Sequence, residues 1–112
     1  MQSTTIVAPK VSRNIGTAFT QIGAYSPAAS TGAIVTGIIV ANISAAAVNV
    51  TVTLFDGAND TNLAFATPVA IGDSLVVGGE WFKATLVNGW SIRVKSSAAT
   101  SVDASMFVTE FT

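Results

Sequence analysis

Val48-Asn-Val-Thr-Val-Thr-Leu54 is the stretch that decides the fold of this chain. Apolar residues fill every second position, and Asn or Thr fills the positions between them. Successive side chains of a strand point to opposite sides, so this period of two is typical of a strand with one face in a core and one polar face. Asp56-Gly57 follows closely and is a strong turn signal. The stretch therefore predicts a β-strand that ends in a turn.

The same alternation occurs twice more, in residues 90–95 and 102–111. The polar segment 96–101 separates these two stretches. We therefore predict a hairpin in which residues 90–95 pair with residues 102–111. The apolar phase of the three alternating stretches predicts these core residues: Val50, Val52, Leu54, Trp90, Ile92, Val94, Val102 and Met106.

Further strands are predicted from shorter apolar runs that lie between turn signals. Gly78-Gly79 and Asn88-Gly89 mark tight turns, since glycine accepts the positive φ that such turns demand. About seven or eight short strands favour a β-sandwich or a small barrel over a layered α/β fold. We predict an all-β chain that forms a single antiparallel β-sandwich, jelly-roll-like or Ig-like. The additional strands are predicted at residues 4–8, 17–22, 33–43, 63–67, 74–77 and 81–86.

The predicted domain organisation is one sandwich, residues 15–112, preceded by an N-terminal arm, residues 1–14. A mass of 11.4 kDa fits a single domain. The arm shows little alternation and carries Lys10 and Arg13, so we expect it to leave the sandwich and pack on a neighbour. A disordered terminus is the alternative. Residues 21–31 show no periodicity and are predicted to form a loop.

Charged residues make up 10% of the sequence, whereas an ordinary soluble domain carries roughly 25%. Apolar residues make up 50%, which is more than a small core needs. Such a composition suits burial against other subunits, so we expect a homo-oligomer.

The five basic residues are too few to follow a nucleic-acid backbone. The most apolar stretch, residues 33–43, is far shorter than the ~20 residues of a membrane-spanning helix, so neither nucleic acid nor a membrane is an expected partner.

The sequence contains no histidine and no cysteine. These two side chains are the ones most used for proton transfer, nucleophilic attack and soft-metal binding near neutral pH. The chain also lacks a Gly-x-Ser-x-Gly elbow and a phosphate-binding Gly-x-x-x-x-Gly-Lys loop. We therefore predict that the chain is not an enzyme and needs no cofactor.

The acidic residues suggest two other kinds of site. Residues 56–62 gather two carboxylates and two amides, enough oxygen atoms for a hard cation such as calcium, but the spacing is not that of an EF-hand and favours a turn rich in Asp and Asn. Asp56 with Asp60, or Asp73 with Glu80, is a conceivable acid and base pair for glycoside hydrolysis. Both pairs fall in predicted turns, where solvated carboxylates are ordinary, so we predict no metal site and no catalytic pair.

Three aromatic residues offer a stacking platform for a sugar: Trp81, Phe82 and Trp90. Trp90 continues the apolar phase of Ile92 and Val94, which makes it a predicted core residue. Trp81 follows the glycine turn, so the sequence assigns it neither to the core nor to the sugar platform. A carbohydrate-binding domain is therefore the main alternative to a purely structural role.

About two thirds of the chain resembles a recurrent type of small virion protein of tailed bacteriophages. The matching stretches are the strand Ala33–Asn42, which ends in Ala-Asn, the strand Val50-Thr-Val-Thr-Leu54, the turn Leu75-Val-Val-Gly-Gly79, and the segment Ser91–Asp103, which contains Lys-Ser-Ser-Ala-Ala-Thr-Ser-Val-Asp. They follow one another in that order. The first 30 residues show no such match.

The resemblance implies a β-sandwich component of a phage capsid, neck or tail, and decoration (cement) proteins that bind the outside of a head look like the closest class. It implies the virion, assembled in the bacterial cytoplasm, as the location. The implied partners are the major capsid protein and further copies of the chain, in a trimer by analogy with the three-fold positions of a shell. A connector in the tail or neck is a further alternative. The residues expected at the interface are Lys10, Arg13, Tyr25, Pro27, Trp81 and Phe82.

Overall fold

The alternating stretches form strands of two antiparallel sheets that pack face to face. The computed structural model describes residues 4–78 and 83–112. One short 3₁₀ turn, Ile22–Ala24, follows the third strand. Within the described residues the strands are β1 (Thr4–Ile6), β2 (Lys10–Ile15), β3 (Thr20–Gln21), β4 (Gly32–Asn42), β5 (Val48–Phe55), β6 (Asp60–Val69), β7 (Ser74–Gly78), β8 (Ala84–Leu86), β9 (Ser91–Ser96) and β10 (Val102–Phe111).

The six-stranded sheet has β10 and β4 at its centre. On one side, β1 and β2 both pair with β10, at different points along it, and therefore act as one interrupted edge strand. On the other side, β7 and β8 pair in the same way with β4. The four-stranded sheet has the order β3-β9-β5-β6.

The connectivity is that of a jelly roll. If β1 with β2 and β7 with β8 each count as one strand, the ten described strands become eight. Renumbered from one to eight, the sheets then have the orders 1-8-3-6 and 2-7-4-5, the double Greek-key arrangement of jelly rolls. The predicted all-β sandwich is thus confirmed, and its topology is the jelly-roll-like form rather than the Ig-like form.

The core lies between the sheets and is built from the inward phase of each strand. Burial of this apolar layer is the main favourable term in folding. Six of the eight predicted core residues are buried: Val50, Val52, Ile92, Val94, Val102 and Met106. Leu54 and Trp90 are half-buried and pack against the edge of the core.

The predicted hairpin between residues 90–95 and 102–111 is wrong. β9 lies in the four-stranded sheet and β10 in the six-stranded sheet, so residues 97–101 cross from one sheet to the other. Ser96 and Ser101 are buried in this crossing, and the Ser101 hydroxyl donates to Ser96 Oγ at 2.6 Å. A hairpin within one sheet and a crossing between two sheets give the same alternation in sequence, because in both cases each strand turns one apolar face to the core.

The expectation that the N-terminal arm leaves the sandwich is corrected for residues 4–14. Thr4–Ile6 and Lys10–Ile15 both form antiparallel pairs with β10. Their alternation is weak because they form an edge strand in which only Ile15 is buried. Residues 1–3 lie outside the described part of the chain.

Two other elements differ in length from their predictions. The predicted loop 56–62 is a shorter turn, since β6 begins at Asp60 and pairs with Phe55. The predicted strand 17–22 is reduced to Thr20–Gln21, because the chain then enters the 3₁₀ turn.

In residues 4–78 and 83–112, no helix is both long and apolar enough to cross a membrane.

The serine crossing provides a stability test. Ser101→Ala should lower the free energy of unfolding by about 1–3 kcal/mol, because it leaves the buried Ser96 hydroxyl and the Ala98 carbonyl without their partner. Urea unfolding followed by circular dichroism measures the change. Ser105→Ala is the control, since Ser105 lies on β10 with its side chain on the outer face of the six-stranded sheet. Equal stability of the two variants would contradict the role given to the crossing.

Candidate functional site: the outer face of the six-stranded sheet

A row of apolar side chains crosses the outer face of the six-stranded sheet. The register pairs Val11 with Ser105, Ser105 with Ile39, and Ile39 with Val76. Paired residues of neighbouring strands lie on the same face, so these four form one continuous row. Val11 is 48% exposed, Ile39 37% and Val76 64%. The row is therefore in contact with solvent rather than covered by the chain.

Neighbouring rows extend this apolar surface. Phe107 lies opposite Gly37, and Gly37 lies opposite Gly78, so the Phe107 ring stands beside two residues without side chains. Thr109 pairs with both Ile6 and Ile34 in the next row. We call the surface formed by these outward apolar residues the neutral face: Ile6, Val11, Ile34, Ile39, Val76 and Phe107.

The neutral face contains no charged residue among the described positions of these rows. The nearest outward charges lie at its margins: Arg13, two residues beyond Val11 on β2, Lys83, directly before β8, and Asp103, which lies beyond the Val11–Ser105 row and accepts a hydrogen bond from the Asn14 backbone N–H at 2.9 Å. The largest continuous apolar patch on a soluble protein is often a contact site. The neutral face is therefore the candidate functional surface.

The outer face of the four-stranded sheet is different, because its outward residues on β9 are Arg93 and Lys95. The Arg93 guanidinium lies 4.4 Å from the centroid of the Phe55 ring and 4.8 Å from that of Phe19, and Lys95 Nζ lies 4.6 Å from Phe19. Arg93 also pairs with Asp60 at 3.6 Å, the one ion pair among the residues described. The two outer faces thus differ clearly in charge.

Two of the expected interface residues meet in a small cluster at the end of the sandwich. Tyr25 is buried, and its hydroxyl donates to Glu110 Oε2 at 2.5 Å. Lys10 Nζ lies 5.0 Å from the centroid of the Tyr25 ring, within cation–π range. Burial, followed by the hydrogen bond to Glu110 and the charge of that carboxylate, raises the pKa of the Tyr25 hydroxyl.

The other expected interface residues lie apart from this cluster. Arg13 is exposed on the edge strand β2. Pro27 is buried, and its carbonyl accepts a hydrogen bond from Asn88 Nδ2 at 2.8 Å, which fixes the 25–28 loop on the turn before β9. Trp81 and Phe82 fall outside the described residues, while Trp90, the third member of the predicted aromatic platform, packs against the core.

The carboxylates serve local structure. The Asp56 side chain accepts hydrogen bonds from the backbone N–H groups of Asn59 at 2.7 Å and Ala58 at 2.9 Å, which hold the pKa of its carboxyl below the usual range. Asp60 accepts the Thr53 hydroxyl at 2.8 Å in addition to its ion pair with Arg93. In the part of the chain that the structure describes, no three acidic side chains come close enough together to hold a metal ion. Glu80 is outside that part.

Sequence reasoning missed the residues of the neutral face. The signal was present in residues 33–43, where both phases of the strand carry apolar residues instead of one. A strand that is apolar on both sides needs cover on both sides. The sequence does not reveal which neighbouring strands extend its second face, since that depends on pairing with β10 and β7.

The sequence matches no protein-family model and no curated protein. The described structure is a jelly roll with one neutral side and one charged side.

The Tyr25 cluster predicts a pH dependence. Tyr25 is the one tyrosine of the sequence, so tyrosinate absorbance reports on it alone. Because its pKa is raised in the folded state, the stability it contributes is present below about pH 10 and is lost as the pH rises further. We expect the folded protein to form tyrosinate only well above pH 10, and Glu110→Gln to move the midpoint down. A midpoint at the ordinary value in the unaltered protein would contradict the cluster.

Proposed function

We propose that the chain is a structural protein of a virion, of the kind that decorates and stabilises the head of a tailed bacteriophage. The observation that carries the proposal is the contrast between the neutral face and the charged outer face of the opposite sheet. A subunit that is held permanently on a larger assembly needs one side with a low free-energy cost of desolvation. An apolar, uncharged surface has this property.

The proposed contact is between the neutral face and the major capsid protein. Val11, Ile39 and Val76 lie in one row across three strands, so their positions are fixed by the register of the sheet. A rigid contact surface of this kind orders few side chains on binding and loses little conformational entropy. Weak contacts repeated over many copies then supply the total binding free energy.

The β6 edge of the four-stranded sheet suits a subunit that does not polymerise through that edge. The edge strand β6 contains Pro68, which cannot donate a ladder hydrogen bond, and a bulge near Ala66. Both features oppose pairing with a further strand. This supports a particle in which copies are placed by the capsid lattice rather than by growth of a continuous sheet.

A connector in the tail or neck would use the same neutral face and is distinguished by position in the particle alone. The homo-oligomer, a trimer by the phage analogy, stays a prediction. Light scattering over a range of protein concentrations checks it, and a monodisperse monomer at every concentration would restrict self-association to the assembled shell.

The proposal is tested with Ile39→Lys, which places an ammonium group in the middle of the neutral face. Binding to purified heads that lack the protein should weaken about 100-fold or more, because an unpaired charge would be buried in the contact. Co-sedimentation with the heads measures occupancy, and circular dichroism verifies that the variant is folded.

Asn62→Lys is the matched control, since it adds the same charge on the exposed edge of the other sheet. It should bind like the unaltered protein. Full occupancy by Ile39→Lys, or absence of the protein from purified particles, would refute the proposal. Electron microscopy that located the protein on the tail or neck would replace decoration with the connector role.

A further inference from the structure

The outer face of the four-stranded sheet contains a shallow groove that the proposed capsid contact does not use. Its volume is about 370 Å³, within the range of small-molecule sites, roughly 300–1,000 Å³. Thr51 and Ala66 line it together with polar side chains from three segments of the chain. Asn49, Phe65, Lys95 and Ser97 also line it.

Phe65 is the most unusual member of the groove, because its side chain is 71% exposed. A β-bulge places it there. The register runs from Val50–Thr67 to Val52–Ala64, so both Phe65 and Ala66 lie opposite Thr51. Bulges of this kind re-aim a side chain and are frequent beside functional sites.

The bulge is held in a strained conformation. Ala66 has φ of 46°, in the left-handed region that residues with a side chain rarely adopt. Its backbone N–H donates to Thr51 Oγ1 at 3.0 Å, and Thr51 is buried in the sheet. An exposed aromatic ring and a strained residue next to it are both unfavourable for folding, which indicates that the position of Phe65 serves another purpose.

The polar groups around the ring are available to a ligand. The Asn49 carboxamide and the Lys95 ammonium make no hydrogen bond or ion pair to the described part of the protein, whereas the Asn49 backbone N–H is occupied by Ser97 Oγ at 2.9 Å. Lys95 Nζ rests over Phe19 and is thereby oriented on the outer face of the sheet. The groove therefore offers an aromatic ring, an amide that both donates and accepts, and one cation.

We propose that this groove binds a pyranose sugar of a surface glycan. The apolar C–H face of a pyranose ring fits against an exposed aromatic ring, and its hydroxyls suit amide and ammonium partners. The groove and the neutral face are on opposite sides of the sandwich, so a chain docked through the neutral face would present the groove to the surroundings. The groove does not depend on that docking, and either proposal can fail alone.

The test is a titration of the isotopically labelled full chain with methyl glucoside, N-acetylglucosamine and glucuronic acid, followed by amide chemical shifts. We expect binding with a Kd of about 1 mM for at least one of these sugars. The shifts should be confined to the residues that line the groove, among them Asn49, Thr51, Phe65, Ala66, Lys95 and Ser97. Phe65→Ala should weaken binding about tenfold or more, and Phe65→Trp should retain it.

Phe107→Ala, which removes an exposed ring from the opposite face, is the control and should bind sugar normally. A preference for glucuronic acid that disappears in Lys95→Gln would assign the cation to a sugar carboxylate. Shifts that map elsewhere, equal affinity of Phe65→Ala and the unaltered protein, or no shift with any of the three sugars would overturn the proposal.

Discussion

The buried hydrogen bond between Ser96 and Ser101 holds the segment by which the chain passes from one sheet to the other. The chain crosses from β9 to β10 at this point, and the crossing is tied to strands of both sheets. Ser96 N–H donates to the Gly16 carbonyl at 2.8 Å, Ser101 N–H to that of Ile15 at 3.0 Å, and Ser97 N–H to that of Asn49 at 2.9 Å. The crossing thereby joins the end of β2 to the beginning of β5. Without these partners, the buried serine hydroxyls and backbone groups would oppose the packing of the sheets.

A second buried polar group closes the same end of the sandwich. Asn42 is 6% exposed, and its Nδ2 donates to the carbonyls of Ala46 at 2.8 Å and Val69 at 3.1 Å. It therefore joins the loop after β4 to the end of β6. Asn42 and the serine crossing also lie in the motifs on which the proposed phage role was predicted from the sequence. In this chain those motifs build the frame and contribute Ile34, Ile39 and Val76 to the neutral face, whereas Phe65 lies outside them.

The alternation predicted most strands correctly because the period of two is a property of each strand alone. It did not predict the sheet to which a strand belongs. β9 and β10 turn apolar faces toward each other across the core, and the same pattern would suit neighbours in one sheet. The edge strand β2 was missed because one buried residue, Ile15, is too little to produce a pattern. The groove around Phe65 could not be predicted, since it depends on a bulge and on residues brought together by β5, β6 and β9.

The two outer faces follow from one structural constraint. In a sandwich the inward-facing side chains of both sheets form the shared core. The two outer faces can therefore differ only in their outward-facing side chains. In β4 and β7 that phase is apolar, and in β9 it is cationic and stacked on Phe19 and Phe55. A change in either set leaves the buried layer intact. The fold can therefore combine a neutral contact side and a polar binding side without a conflict between their requirements and the stability of the core.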